Sequence, residues 1–207
     1  MVDEGNELKI RLLDASEKQL LQQVVSIHLE TFQGFFLTFM GRGFLTQMYR
    51  SYCKYNDSGL YVAFQNERPV GFLAFSANLS GLYKYMIKTR LFPFAWYGIG
   101  AFFRKPKIFI RLLRAFLKPN ESKRAEKYVE LASIGVAPEA KERGIGSELI
   151  SRLVADTDFD DYAYITLETD AEDNEIANRF YLKNGFSLVR TYITAEGRKM
   201  NEYRRVL

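Results

Sequence analysis

An Arg-Gly-Ile-Gly turn at residues 143–146 could hold a phosphate group of a ligand. Glycines at alternate positions let the backbone turn sharply and leave its N–H groups uncovered. The β-branched and aromatic residues of Tyr128–Val136 predict a strand before the turn, and Pro138 ends that strand. Apolar residues recur at helical spacing over residues 145–154, so the turn lies at the N-terminus of a predicted helix, the positive end of its dipole. The sequence therefore predicts a pyrophosphate site at this turn.

Two other nucleotide-binding patterns begin with a strand, a glycine-rich turn and a helix, and neither of them matches. A dinucleotide-binding fold carries G-x-G-x-x-G, whereas Gly144 and Gly146 are followed by Leu149 where the third glycine would stand. A P-loop carries Gly-Lys-Ser/Thr, and no such triplet follows the turn. The turn therefore belongs to neither of these classes.

Two segments together resemble a known family. Residues 141–146, Lys-Glu-Arg-Gly-Ile-Gly, resemble the acetyl-CoA signature Arg/Gln-x-x-Gly-x-Gly/Ala of the GNAT superfamily of acyl-CoA-dependent N-acetyltransferases. Lys141 departs from the usual Arg or Gln but keeps a hydrogen-bond donor and a positive charge. Residues 174–186, NEIANRFYLKNGF, resemble the family's other signature, N-x-x-A-x-x-F-Y-x-x-x-G-F. One predicted strand separates the two segments, as the family's fold requires, and two ordered motifs are far more specific than either alone.

The resemblance implies an α/β fold in which a GNAT-like mixed, mostly antiparallel central sheet is flanked by helices. We expect one acetyltransferase domain over residues 1–207, with a basic aromatic helical insert at residues 78–127, between the third and fourth strands. The chain is long enough to bury a proper core. Apolar patterns predict strands at residues 8–13, 59–65, 70–77, 128–136, 162–168, 186–194 and 199–206.

Helices are predicted over residues 16–28, 44–55, 145–154 and 174–184. Residues 16–19 have the pattern of a capping box, which would start the first helix. Asn174 is the expected N-cap of the last helix, and Gly185 is the glycine that is expected to end it.

Composition excludes several classes of protein. The chain is 47% hydrophobic and 26% charged, as is ordinary for a soluble globular protein. Cys53 is the only cysteine, which excludes a disulfide framework and suits a reducing cytoplasm. The acidic first ten residues lack the apolar region of a secretory signal. No uncharged run is long enough to span a bilayer: residues 91–103 form a run of 13 and residues 69–83 a run of 15. We expect a cytoplasmic protein, free or at the membrane surface.

Residues 81–127 differ chemically from the rest of the chain. They hold 12 Lys or Arg and 2 Asp or Glu, a net charge of +10, whereas the other residues carry −6. Lys107, Arg111, Arg114 and Lys118 recur at helical spacing beside apolar residues, which predicts a basic amphipathic helix. Three roles stay open: packing on the domain or on a second protomer, contact with an anionic membrane, or contact with an acidic substrate. Nucleic acid is disfavoured, because no recognised binding module is present.

The resemblance also implies acetyl-CoA as co-substrate and the residues that would hold it, with no requirement for a metal. The backbone at residues 143–147 would bind the pyrophosphate. The strand at residues 134–136 would splay from its neighbour, so that its free backbone groups pair with the pantetheine arm and the thioester carbonyl. Such an N–H would also stabilise the oxyanion that develops on attack. The implied cofactor-binding residues are Ile134, Gly135, Val136, Lys141, Arg143, Gly144, Ile145, Gly146, Ser147, Asn174 and Tyr181.

The implied reaction is direct attack of an amine on the thioester, which needs a base for the ammonium and an acid for the leaving thiolate. Tyr181 matches the tyrosine that is the acid in many family members, and a phenol with a pKa of about 10 stays protonated at neutral pH. The structural alternative for Tyr181 is packing beneath the cofactor. Glu130 matches the position of the general-base glutamate in the histone-acetyltransferase branch of the superfamily. A plain edge-strand carboxylate, with waters as the base, is the alternative for Glu130.

These motifs do not identify the acceptor. Residues 29–45 with the insert faintly resemble bacterial family members associated with surface-polysaccharide synthesis, which favours an amino sugar, nucleotide-linked in view of the insert's charge. A protein or peptide amine, a small-molecule amine and a non-catalytic acetyl-CoA-binding module that docks through the insert remain open. The candidate substrate contacts are His28, Phe35, Phe36 and Asp170, and core packing or simple solvation is the alternative for each.

Overall fold

A computed structural model of the protein describes residues 7–33, 36–104, 126–195 and 197–207. Seven strands form one sheet with the order β1-β2-β3-β4-β5-β7-β6. Every pair of neighbours is antiparallel except β4 and β5, which are parallel. The expectation of a mixed, mostly antiparallel sheet is confirmed. The strands are β1 Leu8–Leu12, β2 Ser58–Gln65, β3 Arg68–Ser76, β4 Tyr128–Val136, β5 Tyr164–Asp170, β6 Ser187–Ile193 and β7 Lys199–Arg205.

The described residues also form α-helices that flank this sheet, and a short 3-10 turn, Pro138–Ala140, follows β4. The helices are α1 Lys18–Thr31, α2 Phe36–Met40, α3 Arg42–Tyr52, α4 Leu79–Arg104, α5 Ile145–Asp156 and α6 Glu175–Lys183.

Helices cover both faces of the sheet, as two neighbouring residues of β3 show. Ile145 and Leu149 of α5 lie beside Gly71, whereas the ring of Phe72 lies against His28 of α1, with centroids 6.2 Å apart. Successive side chains of a strand point to opposite faces, so α1 and α5 pack on opposite sides. The core lies on both sides of β2 and β3, whose central residues are buried almost without a break.

The predicted helical insert between the third and fourth strands is confirmed by α4. Leu82 and Met86 hold the first turns of α4 in the core, where both are fully buried. Pro93 lies inside the helix, although proline removes one backbone donor there. The predicted basic stripe falls outside the described residues; it consists of Lys107, Arg111, Arg114 and Lys118.

The predicted capping box at the start of α1 is wrong. The helix begins after Glu17, and no side-chain hydrogen bond caps it. The backbone N–H of Ser16 instead donates to Asp14 Oδ1 at 2.8 Å, and the Glu17 carboxylate accepts from Arg11. These short-range side-chain bonds form a turn of their own, which competes with the cap.

The prediction of one helix over residues 44–55 is also wrong in its bounds. Helical structure is present on both sides of Gly41, as α2 and α3, and α3 ends at Tyr52. Gly41 has a φ of 85°, a left-handed conformation that suits glycine and interrupts the helix. The chain therefore changes direction at this point, which the apolar pattern does not reveal.

Candidate functional site

Strands β4 and β5 lie side by side over three residue pairs and then separate. The parallel pairing joins residues 128–130 to residues 164–166. Beyond them, β4 continues to pair with β3 and β5 continues to pair with β7. An extra residue, Ala132, bulges from β4 where the separation begins. The splay, as we call the opening between residues 131–136 of β4 and residues 167–170 of β5, leaves one edge of β4 without a strand partner.

The splay exposes backbone groups of β4 that β3 does not use. Ala137 N donates to Val70 O at 2.8 Å. Alternate residues of an antiparallel strand bond to the same neighbour, so the N–H and C=O groups of Ile134 and Val136 point the other way, into the splay. Thr31, at the end of α1, donates its hydroxyl to Val136 O at 3.1 Å. Sequence reasoning missed Thr31, because only the fold brings the end of α1 to this strand.

The glycine-rich turn lies at the N-terminus of α5. Gly144 has a φ of 78°, and nothing lies within 4 Å of the place that a Cβ on it would take. The first intrahelical bond runs from Glu148 N to Gly144 O at 3.1 Å, so the N–H groups of residues 145–147 have no acceptor within the helix. The side chains of Lys141 and Arg143 are exposed on the same turn. The turn thus has the donors and the positive charge that a pyrophosphate requires.

Gly146 brings the two signature segments into contact. A Cβ on Gly146 would lie 3.0 Å from Cζ of Phe180 in α6, closer than side chains normally approach. A larger residue would require the Phe180 ring, or α6 with it, to shift. The second glycine of the turn is therefore needed for helix packing, whereas the first is needed for backbone conformation.

Tyr181 lies on α6 among aromatic rings. The ring centroids of Phe180, Phe186 and Tyr203 are 5.4, 6.0 and 6.0 Å away. Burial raises the pKa of Tyr181 to about 12, so the phenol is protonated at neutral pH. A proton donor needs this protonation state, and a purely structural tyrosine would share it.

Side-chain amides attach α6 to the second half of the sheet. Asn174 occupies the N-cap position, but its side chain makes no cap hydrogen bond, and its Nδ2 donates to Thr169 Oγ1 at 2.7 Å. Asn178, one turn later, accepts at Oδ1 from Asn201 Nδ2 at 2.9 Å and from the Tyr203 hydroxyl at 2.8 Å. Sequence reasoning missed Asn178, since its partners on β7 are distant in the chain. Its place one helical turn after Asn174 was the available signal.

Glu130 lies at the mouth of the splay. It is the last residue of β4 that pairs with β5, opposite Thr166, and its side chain is half-buried. Burial raises the pKa of Tyr52 in α3 and of Tyr83 in α4, and the negative charge of Glu130 raises both further. Glu130 therefore faces the α3–α4 side of the sheet, with two phenols nearby.

A second carboxylate, missed by sequence reasoning, stands across the splay from Glu130. Glu168 follows Thr166 by two residues on β5, so it shares the face of the sheet that carries Glu130. The Tyr192 hydroxyl donates to Glu168 Oε2 at 2.6 Å. The charge of Glu168 also contributes to the raised pKa of Tyr83, after burial and Glu130. Finding Glu168 from the sequence would have required the register between β4 and β5.

His28 is buried, with 2% of its surface exposed. Its Nδ1 lies 2.7 Å from the Tyr49 hydroxyl, which is 3.4 Å from Ser133 Oγ on β4. Burial lowers the pKa of His28 to about 4, so the ring is neutral at pH 7. This placement favours the structural alternative, and contact between His28 and an acceptor stays a prediction. Phe35 and the side chain of Phe36 lie outside the described residues.

Two further candidates already have partners. Arg198 donates to both oxygens of Asp170, with Nη2 2.7 Å from Oδ2, so an acceptor would compete with Arg198 for this carboxylate. Gly135 is buried, and a Cβ on it would lie 2.8 Å from the ring of Phe72. The turn and the free edge of β4 thus lie beside the splay, with Glu130 at its mouth and Asp170 at the far end of β5. Tyr181 lies against Tyr203 of β7, and its place at the reacting thioester stays a prediction.

Comparison with protein families identifies the fold. The model of the acetyltransferase (GNAT) family matches residues 21–186, a range that includes both signature segments and the splay. The chain belongs to the GNAT family of acetyltransferases. Acyl transfer is therefore the expected class of reaction, while the acceptor is not determined by membership of the GNAT family.

Individual proteins show the same relationship. A GCN5-like protein acetyltransferase of Mycobacterium tuberculosis is 41% identical over 66 residues, which span 31% of this chain and only 32% of that protein. The N-acetyltransferase of Staphylococcus aureus superposes with a TM-score of 0.59 at 15% identity, covering 97% of this chain and 98% of that one. The NatC complex bound to Gag peptide and CoA superposes with a TM-score of 0.57 at 13% identity, covering 97% and 99%. At such identities the two structures share the GNAT fold with this chain, and nothing finer.

Proposed function

We propose that this protein transfers an acetyl group from acetyl-CoA to a primary amine that attacks the thioester directly. The observation that carries the proposal is the splay beside the glycine-rich turn. There, a strand edge without a strand partner lies next to a helix N-terminus whose first amides have no acceptor within the helix. The edge offers backbone groups to an extended amide-containing chain, and the helix N-terminus offers donors to a pyrophosphate. Acetyl-CoA has both parts.

The residues of the turn fit the pyrophosphate end of acetyl-CoA. The N–H groups of residues 145–147 would donate to its oxygens, and Lys141 and Arg143 would add positive charge. At Gly144 itself the turn is open, since nothing lies within 4 Å of the position that a Cβ would take. The backbone groups of Ile134 and Val136, on either side of Gly135, would pair with the pantetheine arm. Asn174 would lie at the opposite wall of the splay.

We assign the two proton-transfer roles to groups on opposite sides of the splay. Tyr181 would donate its hydroxyl proton to the sulfur that leaves, because burial keeps its pKa near 12 and the phenol protonated. Glu130 would accept the proton of the incoming ammonium, directly or through a water. Glu130 faces the α3–α4 side, whereas α6, which carries Tyr181, packs against α5 on the other side of the sheet. The amine would therefore approach the thioester carbon from the α3–α4 side, and the thiol would leave toward α6.

The acceptor that best suits this site is an amine that arrives as a cation. Glu130 and Glu168 place two carboxylates on the acceptor side, where their field attracts an ammonium group. An amino sugar satisfies this chemistry, as does a nucleotide-linked one whose phosphates reach the basic insert. A protein or peptide amine is the second candidate, favoured by the match to a GCN5-like protein acetyltransferase. A non-catalytic acetyl-CoA-binding module is the alternative from another class.

The organisation of the chain is part of the proposal. We propose a single acetyltransferase domain over residues 1–207 that contains the insert at residues 78–127, in a cytoplasmic protein that needs no metal. Homodimer formation is an alternative role of the insert.

The test is release of the CoA thiol from acetyl-CoA, measured against amino sugars, nucleotide-linked amino sugars, peptides and small amines. We expect release with one class of acceptor, with a product heavier by one acetyl group in mass spectrometry. Binding of acetyl-CoA without release against any acceptor would favour the non-catalytic module. A folded protein that does not bind acetyl-CoA would contradict the proposal.

A further inference from the structure

Helix α4 exposes a row of large apolar side chains. Phe92 is 87% exposed and Trp96 is 75% exposed, and Leu91 and Ile87 are also exposed. Single exposed apolar residues are normal on a protein surface, but four within ten residues of one helix form a patch. Such a patch marks a surface that binds something.

Two lysines lie within the same row. Lys84, Lys88 and Leu91 follow one another at helical spacing, and all three are exposed. At 100° per residue, Phe92 and Trp96 lie on one side of this line, so the row covers about half of the helix surface. We call this row, with Ile87, the α4 face.

The α4 face points away from the domain. Leu82 and Met86, on the other side of the helix, are fully buried. The ring of Phe94 packs on Phe44 of α3, with centroids 4.8 Å apart. The described structure therefore uses one side of α4 for packing and leaves the α4 face to solvent.

The charge of this region indicates the chemistry of the partner. Helix α4 contains Lys84, Lys88, Arg90 and Arg104 and no acidic residue, and residues 81–127 carry +10. A face that combines exposed aromatic and aliphatic side chains with lysines suits the boundary between anionic headgroups and acyl chains. In the described ranges no helix combines the length and apolarity needed to cross a membrane, so contact would be peripheral.

We propose that the α4 face binds an anionic lipid surface. Phe92 and Trp96 enter the headgroup region, and Lys84 and Lys88 lie against lipid phosphates. The proposal has a geometric consequence that rests on the proposed function. Tyr83, on the buried side of α4, lies near Glu130, so lipid contact would hold the acceptor side of the splay close to the bilayer.

The test uses the full chain and vesicles of phosphatidylcholine with phosphatidylglycerol, compared with phosphatidylcholine alone. Trp96 is the only tryptophan, so its fluorescence reports the α4 face directly. We expect a blue shift of its emission on the anionic vesicles and a smaller shift, or none, on the neutral ones. Raising the ionic strength from about 0.05 to 0.5 M should weaken the lysine contribution.

Co-sedimentation of variants with the anionic vesicles identifies the residues involved. Replacing Phe92 and Trp96 together by Ser should lower the partition coefficient by at least about tenfold. Replacing Lys84 and Lys88 together by Gln should lower it by about twentyfold, near fivefold per lysine. Ile193→Ser, which alters a residue 71% exposed on β6, is the matched control and should change nothing. All variants should still bind acetyl-CoA, which shows that they are folded.

Three results would overturn the proposal. One is no sedimentation with the anionic vesicles, and another is sedimentation that the aromatic pair does not affect. The third is a dimer in solution that the Phe92/Trp96 variant converts to a monomer without vesicle binding, which would assign the α4 face to a second copy. Vesicle binding does not depend on turnover, so an inactive enzyme that still binds lipid would contradict only the proposed function.

Discussion

The two halves of the sheet on either side of the splay are held together in different ways. In the first half, β1 to β4, the inner strands β2 and β3 are buried on both faces, and residues 59–64 are buried without interruption. In the second half, β6 exposes every residue except Tyr192. The polar interior of the second half includes Glu202, fully buried, which accepts from Arg190 and Arg204 at 2.6 and 2.9 Å. Only three residue pairs join the halves through β4 and β5.

This difference explains why the splay is a suitable place for a reaction. The close-packed first half fixes the backbone of residues 134–136, and a rigid edge can bind an extended ligand at low entropic cost. The second half supplies polar side chains held by hydrogen bonds, including the amides that position α6. Each half contributes one proposed proton-transfer group, Glu130 from the first and Tyr181 from the second.

The largest expected effect comes from removing the proton donor of the second half. Tyr181→Phe should lower kcat by about a hundredfold or more, since general acid catalysis contributes on the order of 10²–10⁴-fold. The Kd for acetyl-CoA, measured by calorimetry, should hardly change because the ring remains. Tyr162→Phe, a half-buried tyrosine before β5, is the control. Equal losses in kcat and in acetyl-CoA affinity would leave Tyr181 with a packing role.

Acid should weaken the first half through a neutral buried group. The folded-state pKa of His28 is about 4, below the unfolded value of about 6.5, so the unfolded chain binds the proton more readily between these values. The stability that His28 contributes is present above pH 6.5 and is lost as the pH falls toward 4. Urea denaturation should show a free energy of unfolding lower by about 3 kcal/mol at pH 4 than at pH 7 from this group.

The control for that loss is His28→Gln, which cannot titrate. Its stability should depend on pH less steeply than that of the wild type by the same amount. Parallel pH profiles for the two proteins would show that the pKa of His28 is ordinary.

The contact between the two signature segments can be broken at one glycine. Gly146→Val should destabilise the protein by about 2 kcal/mol in urea denaturation, because overpacking against Phe180 shifts α6. Phe180→Leu in the same chain should recover part of the loss. Gly144→Ala, with open space around it but a φ of 78°, should cost about 1 kcal/mol from backbone strain alone. If Phe180→Leu recovers none of the stability lost in Gly146→Val, the packing account is contradicted.

The smallest effect is expected at the acceptor side of the second half. Glu168→Gln should raise the KM for a cationic acceptor by about fivefold, the loss of one favourable charge contact of roughly 1 kcal/mol. The KM for acetyl-CoA should not change. Glu172→Gln, which removes an exposed carboxylate paired with Lys199, is the matched control. If Glu168→Gln and Glu172→Gln change the KM for the cationic acceptor equally, Glu168 contributes only to the overall negative charge of the region.

Much of the fold could be predicted from local sequence, and the failures share one cause. The strand–turn–helix around Gly144 and the helix that ends at Gly185 (φ 80°) follow from nearby residues and occur as expected. The predictions for the start of α1 and for the helix near Gly41 were wrong, because several local arrangements of similar energy compete at these places.

The residues of the candidate site also divide into those that local sequence predicts and those that it does not. Residues within the motifs were found because their spacing is local, although their roles stay predictions. Thr31, Asn178 and Glu168 were missed because their partners lie on strands that only the folded chain brings near. Asp170 illustrates the limit from the other side: its carboxylate is engaged by Arg198, 28 residues away, which no local pattern shows.

The central claim is that acetyl-CoA lies in the splay, along the free edge of β4 and at the N-terminus of α5. Hydrogen–deuterium exchange with and without acetyl-CoA tests this claim most directly, because it follows the amides themselves. The account predicts slower exchange in peptides that cover residues 131–136 and 144–149, with β1 and β2 unchanged. Binding of acetyl-CoA that leaves both of those peptides unprotected would contradict it.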